Sequence, residues 1–300
     1  MRRILIADDD MTSRAVLATV LRKIGYDPVE VEDGDSAFRI MTEEDSPSIA
    51  VLDWVMPGMD GLDVVKAVRE VKGDLPPYII MLTSRGEKSD VVLGLDGGAN
   101  DYVSKPFDTG ELRARIEVGR RMIEMHRALV QSKEALEYQA SHDSLTGLLN
   151  RGATIKRLEE ELAHGHSRSG DLVVAVLDID HFKNVNDTYG HQTGDDVLME
   201  LSRQMDRSCC GRGVVGRMGG EEFLAILRFP HPDEARPFLD QLRNSIGSSP
   251  MDTRSGPVSI SVSVGACVAV EGQGLDRLLG LADSALYRAK DLGRNRVEWS

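Results

Sequence analysis

The chain has 300 residues, an ordinary hydrophobic content of 41% and a formal net charge of −13. This length suits two domains, each large enough to bury a core. Acidic side chains outnumber basic ones in both halves, which excludes the electrostatic footprint of nonspecific nucleic-acid binding. We therefore expect no nucleic-acid partner.

The cysteines and the N-terminus indicate a cellular compartment. Cys209, Cys210 and Cys267 lack the spacing of metal ligands, which favours a reduced protein with incidental thiols. The opening residues, a basic pair followed by a short run containing acids, are not typical of a signal peptide. No apolar run reaches membrane-spanning length. We expect a cytoplasmic protein without a membrane segment.

Short apolar runs alternate with helical patterns over the first third of the chain. This alternation predicts a doubly wound α/β fold with a parallel five-stranded sheet and right-handed crossovers. Polar residues follow the strands, and the carboxyl ends of parallel strands meet at one rim, where such sheets bind ligands. The residues predicted at this rim are Asp8, Asp9, Asp53, Thr83 and Lys105.

Three carboxylates at one rim repel one another unless a cation neutralises them. Their oxygens suit a hard divalent ion, Mg²⁺ first and Mn²⁺ as a substitute. Asp53 would then attack a phosphoryl donor, with Thr83 and Lys105 contacting the new phosphate. An acid at a single strand end is usually an ordinary loop residue, but five suitable residues at consistent positions favour a site.

Residues 1–120 resemble a response regulator receiver domain. The matching residues are Asp8-Asp9, Asp53, Met56-Pro57-Gly58-Met59-Asp60-Gly61, Thr83 and Lys105-Pro106. The resemblance implies that Asp53 is the phosphoacceptor, that the Val55 carbonyl joins Asp8, Asp9 and Asp53 in binding Mg²⁺, and that Thr83 and Tyr102 are switch residues. It also implies a cognate histidine kinase as partner. The alternative is a pseudo-receiver that is not phosphorylated.

Residues 109–140 lack proline and are rich in helix formers, which predicts one linker helix continuing the last receiver helix, on the order of 45 Å long. Two mostly apolar stripes lie on neighbouring faces, the first weakened by Ser132 and Gln139, and they suggest a stalk that changes register. The first predicts a coiled-coil seam, and hence a parallel homodimer through receiver and linker. A monomeric spacer helix is the alternative. The stripes are Met122, Met125, Leu129, Ser132, Leu136 and Gln139, and Ile116, Gly119, Ile123, His126 and Val130.

Residues 141–300 form the third predicted segment. Its elements run strand, two helices, two strands, helix, strand, helix, strand, which predicts an α+β domain with a mixed central sheet and surrounding helices. The strictly alternating run Val258–Val264 predicts a strand whose faces meet two environments. Lys290 and Arg294, four residues apart, are predicted on one face of the last helix.

Gly219 and Gly220 stand between two apolar runs and precede Glu221 and Glu222. Paired glycines predict a tight hairpin, and a tip without side chains lets a ligand lie against the backbone. Taken alone, the stretch reads as a surface turn with two solvated glutamates. Asp178, at the end of a buried strand, would add a carboxylate with which the glutamates share a divalent cation.

Two Mg²⁺ ions at these carboxylates would bridge a triphosphate and assist in-line attack at its α-phosphorus. Lys183, Lys290 and Arg294 are candidates for holding the β- and γ-phosphates. As an isolated pair, Lys290 and Arg294 would more often be solvated surface charges.

These residues resemble the GGDEF family of diguanylate cyclases over about residues 141–298. The matching stretches are Asp143–Arg151, Asp178–Lys183, Asn186–His191, Gly194-Asp195, the hairpin, Ser263-Val264-Gly265, Ala282–Lys290 and Gly293-Arg294-Asn295. The resemblance implies that two GTP molecules condense to cyclic di-GMP with release of pyrophosphate. The implied catalytic residues are Asp178, Lys183, Glu221 and Glu222.

The resemblance also implies the remaining roles. Asp178, the Ile179 carbonyl and Glu221 would bind metal, and Glu222 would assist a second metal or deprotonate the 3′-hydroxyl. Asn186 and Asp195 would read guanine. Asp195 suits that role because a carboxylate accepts hydrogen bonds from the N1–H and exocyclic amine, a pair that adenine lacks. The implied substrate contacts are Lys183, Asn186, Asp195, Gly219, Gly220, Lys290 and Arg294.

One departure concerns regulation. Many family members carry an inhibitory product site, Arg-x-x-Asp, shortly before the hairpin glycines, where this chain has Cys210-Gly211-Arg212-Gly213. We expect product inhibition through that site to be absent or weak. The sequence thus predicts a phosphorylation-activated diguanylate cyclase. The alternatives are an inactive GGDEF module that senses nucleotide or binds a partner, a cyclase of other specificity, and a DNA-binding output.

Overall fold

The computed structural model describes residues 2–71, 73, 76–83, 97–164, 170–270 and 272–300. They belong to two compact units, Met1–Glu134 and Ala135–Ser300. Within these ranges, no helix combines the length and the apolar character needed to cross a bilayer.

The first unit contains a five-stranded parallel sheet in the order β2-β1-β3-β4-β5, as predicted. Its central strands are buried on both faces, which is why they read as continuous apolar runs. The strands are β1 Arg2–Ala7, β2 Tyr26–Val31, β3 Ile49–Asp53, β4 Tyr78–Thr83 and β5 Asp101–Ser104. The helices described within this unit are α1 Met11–Lys23, α2 Gly34–Thr42 and α3 Gly61–Val71.

Helix α4, Thr109–Ser141, is the predicted long helix and has 33 residues. Its first turns bury Leu112 and Ile116 against the receiver sheet. Gly119 lies against the Tyr78 ring so closely that a Cβ there would come within 2.3 Å of Cδ1. The predicted second stripe is therefore wrong as a free seam, because its beginning is packed into the first unit.

The first predicted stripe of α4 has the opposite environment. Met122, Met125, Leu129 and Leu136 are all exposed, with Met125 at 74%. Large apolar side chains repeating at this spacing on an exposed helix face are typical of a surface that packs against another helix.

The second unit contains a mixed five-stranded sheet in the order β10-β9-β6-β8-β7, in which β9 and β10 are parallel and the other pairs antiparallel. The strands are β6 Asp171–Ile179, β7 Gly213–Gly219, β8 Glu222–Phe229, β9 Val262–Val268 and β10 Val297–Trp299. The helices are α5 Arg151–His164, α6 Phe182–Tyr189, α7 His191–Cys209, α8 Ala235–Ser248 and α9 Leu275–Asp291, with a 3₁₀ turn at Pro232–Glu234. This architecture confirms the predicted fold class.

The predicted strand Val258–Val264 is misplaced. Val258 forms an isolated bridge with Met251, and the sheet strand is β9, Val262–Val268. Inside β9 the burial does not alternate, because both of its faces are covered. One face contributes Val262, Val264 and Ala266 to the core cluster that includes α8, and the other packs Cys267 with residues of α9. The alternating run thus mostly precedes the strand.

Candidate active site and phosphoacceptor site

The receiver rim forms where β1, β3, β4 and β5 end. Asp8 follows β1, Asp53 ends β3, Thr83 ends β4 and Lys105 follows β5. The strands are in register, so these ends meet at one edge. Oxygens of Asp8, Asp9 and Asp53 lie within 4.8 Å of one another. Three carboxylates at this separation fit a hard divalent cation.

Lys105 supplies a positive charge inside this cluster. Its Nζ lies 2.8 Å from Asp8 Oδ2 and 2.6 Å from Asp53 Oδ2. Burial raises the pKa of Asp53, and the charge of Asp8 adds to this, while Lys105 opposes both. Burial lowers the pKa of Lys105, but its hydrogen bonds to Asp53 and Asp8 outweigh that effect and the net shift is upward. Lys105 therefore stays protonated.

The predicted switch residues lie on the neighbouring strands. Thr83 is buried, Tyr102 is half-buried, and the Val55 side chain is exposed in the loop after β3. The Arg115 guanidinium lies 5.9 Å from the Tyr102 ring centre and donates to Asp101 Oδ1 at 2.7 Å. Arg115 belongs to α4, so this ion pair joins the long helix to β5 beside Tyr102. Sequence reasoning assigns Arg115 no role.

The glycine hairpin has the predicted tight form. Gly219 pairs with Glu222, which leaves Gly220 and Glu221 at the tip. Gly219 has φ 142° and Gly220 has φ 53°, so both use the freedom that a missing Cβ gives. A Cβ on either glycine would meet no atom within 4 Å. The backbone at the tip therefore has an open side that a ligand can approach.

The tip brings its carboxylates to the end of β6. Asp178 and Glu222 are cross-strand partners, and the Ile179 N–H donates to the Glu221 carbonyl at 3.4 Å. Lys290 Nζ lies 2.9 Å from Asp178 Oδ2. Burial raises the pKa of Glu221; the charge of Asp178 and, more weakly, that of Glu222 also raise it, against an opposing effect of Lys290.

A carboxylate held near others in a partly buried place gains from a cation, so Asp178 and Glu221 fit a divalent ion. Among the described residues, a group of three close carboxylates is found at the receiver rim and not here. The predicted ligand set at the hairpin needs only these two carboxylates and the Ile179 carbonyl, which lies at the same strand end.

The residues predicted to read guanine are brought together by α6 and α7. Asn186 is in α6 and Asp195 in α7, and both are half-buried. A Cβ on Gly194 would lie 2.0 Å from Asn186 Oδ1, so the Asn186 amide rests on the helix backbone beside Asp195. Lys183 is exposed near the start of α6.

Arg294 is not on the last helix, because α9 ends at Asp291. Gly293, Arg294 and Asn295 have successive positive φ values of 113°, 63° and 47°. Such a run is costly for residues with a Cβ, and buried Asp180 holds it in place. Asp180 accepts hydrogen bonds from the Asn295 N–H at 3.0 Å and from the hydroxyls of Ser261 and Ser263 at 2.6 Å each.

Family models match both parts of the chain. The model described as "Diguanylate cyclase, GGDEF domain" matches residues 140–296, and the "Response regulator receiver domain" model matches residues 4–117. The chain belongs to the GGDEF family and carries a receiver domain. The resemblance drawn from the sequence motifs is thereby confirmed.

Two curated relatives illustrate this membership. "Diguanylate cyclase DgcP" of Pseudomonas aeruginosa is 38% identical over 190 residues, which is 63% of this chain and 28% of the relative. "Response regulator PleD" of Caulobacter vibrioides is 29% identical over 302 residues, 98% of this chain and 65% of the relative. The chain therefore spans less than two thirds of the length of either relative.

Solved structures resemble the GGDEF part. The coiled coil and GGDEF domain of DgcB from Caulobacter crescentus, in complex with c-di-GMP, matches with a TM-score of 0.57 and 32% identity, covering 63% of this chain and 99% of that one. Diguanylate cyclase SiaD of Pseudomonas aeruginosa, in complex with its activator SiaC, matches with a TM-score of 0.52 and 34% identity, covering 64% and 74%.

The GGDEF hairpin has an anchor that sequence reasoning did not identify. Arg217 donates from Nη2 and Nε to the Gly220 carbonyl at 2.7 and 3.0 Å, and from Nη1 to Asp143 Oδ1 at 3.0 Å. Asp143 opens the turn between α4 and α5, where it also accepts a hydrogen bond from the Thr146 N–H. The tip is thus fixed to the turn that follows the long helix. Asp143 begins the matching stretch Asp143–Arg151, whereas Arg217 lies two residues before the hairpin glycines.

Proposed function

We propose that this chain is a phosphorylation-activated diguanylate cyclase that condenses two GTP molecules to cyclic di-GMP. The observation that carries the proposal is the open glycine tip with Glu221 and Glu222 beside Asp178 and Lys290. The proposed organisation is a receiver at residues 1–120, a linker helix at 109–140 and a GGDEF domain at 141–300.

In the proposed reaction, each GGDEF domain binds one GTP, and two domains face each other. The 3′-hydroxyl oxygen of one GTP attacks the α-phosphorus of the other, the bond to the β-phosphate oxygen breaks, and pyrophosphate leaves. A second, symmetric attack closes the ring and releases another pyrophosphate. Glu222 accepts the hydroxyl proton or supports a metal at the same place, and holding both nucleotides in line supplies most of the advantage.

Mg²⁺, or Mn²⁺ in its place, would be held by Asp178, Glu221 and the Ile179 carbonyl. When bound, such ions neutralise the triphosphate and stabilise the charge of the leaving group. Lys183, Lys290 and Arg294 contribute positive charge toward the β- and γ-phosphates. Lys290 would exchange its contact with Asp178 for one with phosphate.

Guanine would be selected by Asn186 and Asp195 at the α6–α7 junction. Asp195 accepts hydrogen bonds from the N1–H and the exocyclic amine of guanine, and Asn186 contacts the same base. Gly219 and Gly220 let the nucleotide lie against the hairpin backbone.

The receiver would control how often two GGDEF domains meet. A histidine kinase would phosphorylate Asp53, while Asp8, Asp9 and the Val55 carbonyl share the Mg²⁺ site with it. The added phosphate, with a charge of about −1.5 to −2, would be contacted by Lys105 and Thr83 and would reorient Tyr102. A homodimer through the receiver and the exposed stripe of α4 would then shift toward the arrangement in which the two half-sites meet.

The experiment incubates the purified chain with GTP and Mg²⁺, with and without beryllofluoride as a phosphate mimic, and identifies products by mass. We expect cyclic di-GMP and pyrophosphate, with a higher rate in the presence of the mimic. Glu221→Gln should remove product, whereas Glu159→Gln, an exposed glutamate on α5, should not. A wild-type chain that binds GTP but forms no product would instead be a nucleotide-binding module.

A further inference from the structure

The loop of residues 252–256 carries an arginine that holds the beginning of α7. Arg254 donates to Asp196 from Nε at 2.7 Å, from Nη2 at 2.9 Å and from its backbone N–H at 3.0 Å. Its Nη1 donates to Gln192 Oε1 at 2.9 Å. Arg254 therefore binds two residues that are one helical turn apart, using all three guanidinium nitrogens.

The contact is well defined although Arg254 is half exposed. The hydrogen bonds from Arg254 lower the pKa of Asp196 to about 2. A second contact joins the same loop to α7, since Thr193 Oγ1 and Ser255 Oγ lie 2.8 Å apart. An ordinary surface ion pair contributes little, but a bidentate pair with a backbone donor fixes geometry as well as charge.

The beginning of α7 lacks the usual side-chain features of a helix N-terminus. Its N-cap, Gly190, has no side chain to accept a hydrogen bond, and the first turn contains no acidic residue. This end of the helix therefore has neither a side-chain N-cap nor an acidic side chain that offsets the positive end of the dipole. Arg254 does not cap this end, because a guanidinium only donates, but it attaches the first two turns to the neighbouring loop through Gln192 and Asp196.

The attached turns are those that bear the proposed guanine contacts. Gln192 and Asp196 flank Gly194 and Asp195 in the sequence, and Gly194 is the residue on which the Asn186 amide rests. A small rotation of α7 would move Asp195 and would also disturb the contact between the Asn186 amide and Gly194. The hydrogen bonds of Arg254 go to Asp196 and Gln192, on either side of Gly194 and Asp195 in the sequence.

We propose that Arg254 is a positioning residue for guanine selection, which acts by fixing the turn of α7 that carries Asp195. This inference rests on the proposed function, because it assumes that Asn186 and Asp195 face the base. A site that selects by hydrogen bonds discriminates strongly only while its polar groups are held in place. Loosening α7 should therefore lower selectivity for guanine over hypoxanthine more than it lowers turnover.

The test compares GTP with ITP, whose base lacks the exocyclic amine. Full-length wild type and Arg254→Ala are assayed for KM and kcat with both nucleotides, and for binding of the α,β-methylene analogues, which cannot react. We expect Arg254→Ala to raise KM for GTP and to lower the GTP-to-ITP ratio of kcat/KM by roughly fivefold or more, with kcat changed less than about twofold. Asp196→Asn should have the same effect, and the double variant should add little.

Arg203→Ala is the matched control, since Arg203 is also on α7, lines the same surface pocket as Asp196 and Arg254, and pairs only with Glu200 among the described contacts. It should leave the ratio unchanged. A merely structural role for Arg254 would lower affinity for both nucleotides equally and leave the ratio intact, which would overturn the inference. The binding arm separates this failure from that of the proposed function, because an inactive chain can still prefer the guanine analogue. A wild type without that preference contradicts the inference directly.

Discussion

Lys290 Nζ lies 2.9 Å from Asp178 Oδ2, at the end of the strand that pairs with the glycine hairpin. The receiver has the same relationship, with Lys105 Nζ 2.6 Å from Asp53 Oδ2. In each case a lysine neutralises part of the negative charge of a cluster of carboxylates that would otherwise repel one another. Under the proposed function, each lysine would transfer its contact to a phosphate, and the neighbouring carboxylates would bind the cation.

The raised pKa of Glu221 leads to a prediction about pH and Mg²⁺. Between the ordinary glutamate pKa of 4.5 and the raised native value, the native chain binds more protons at Glu221 than the unfolded chain does. Its contribution to the free energy of unfolding therefore falls as pH rises through that interval. Bound Mg²⁺ favours the ionised form, so the increase in Tm caused by Mg²⁺ should be larger at about pH 8 than at about pH 5.

Thermal unfolding with and without Mg²⁺ measures this effect. Glu221→Gln should show a smaller difference between the two pH values, while its receiver site, where burial also raises the pKa of Asp53, is the same as in wild type. An identical pH dependence in both proteins would show that Glu221 does not couple to the ion.

The two hairpin glycines should respond differently to substitution. Gly220, with φ 53°, lies in the left-handed region that asparagine tolerates, whereas Gly219, with φ 142°, lies where almost only glycine is found. Gly219→Ala should destabilise the chain by about 1–3 kcal/mol and sharply reduce cyclase activity. Gly220→Asn should reduce both the stability and the cyclase activity less than Gly219→Ala does. Urea unfolding and initial rates check this order, and equal effects would argue against the backbone explanation.

Local packing at residues 210–213 predicts that introducing Arg-x-x-Asp there would not create a product site. A Cβ on Gly213 would lie 2.0 Å from the Ile226 carbonyl oxygen, and Arg212 packs over the rings of Phe229 and Phe238. Cys210→Arg with Gly213→Asp should lower Tm without producing inhibition by cyclic di-GMP. Initial rates at increasing product concentration test this. Inhibition gained by the double variant would contradict this prediction. Submicromolar inhibition of the wild type, lost on changing residues 210–213, would contradict the expectation that the wild type lacks the product site.

Asp53→Asn should remove the response to phosphorylation while leaving the basal cyclase rate. The variant keeps the shape of the rim but loses the nucleophilic carboxylate. Asp45→Asn is the control, because Asp45 is an exposed acid that precedes β3, away from the carboxyl edge. Acetyl phosphate should raise the cyclase rate of the wild type and of Asp45→Asn, but not that of Asp53→Asn. Full activation of Asp53→Asn by acetyl phosphate would assign the phosphoacceptor elsewhere.

The sequence predicted both sheets because the signals for their strands and turns are local. The strand-end acids and paired glycines depend on backbone rules that neighbouring residues reveal. The predicted position of Arg294 on the last helix was wrong, because the helix ends at Asp291 and a run of positive φ begins at Gly293. That run is stabilised by Asp180, which is more than a hundred residues away in the sequence.

Contacts between distant segments were the part that sequence could not supply. Arg217 reaches Asp143 across 74 positions, and Arg254 reaches Asp196 across 58. Neither pair has a spacing that predicts contact. The same limit explains the second stripe of α4, since only the fold shows that Tyr78 covers Gly119.

The most direct test of the proposed mechanism is the rate of cyclic di-GMP formation per chain, measured over a wide range of protein concentration with and without beryllofluoride. Two half-sites that must meet predict a rate per chain that rises with concentration to a plateau, and a plateau reached at lower concentration when the mimic is bound. No cyclic di-GMP at any concentration would contradict the account, as would a rate per chain that depends on neither concentration nor the mimic.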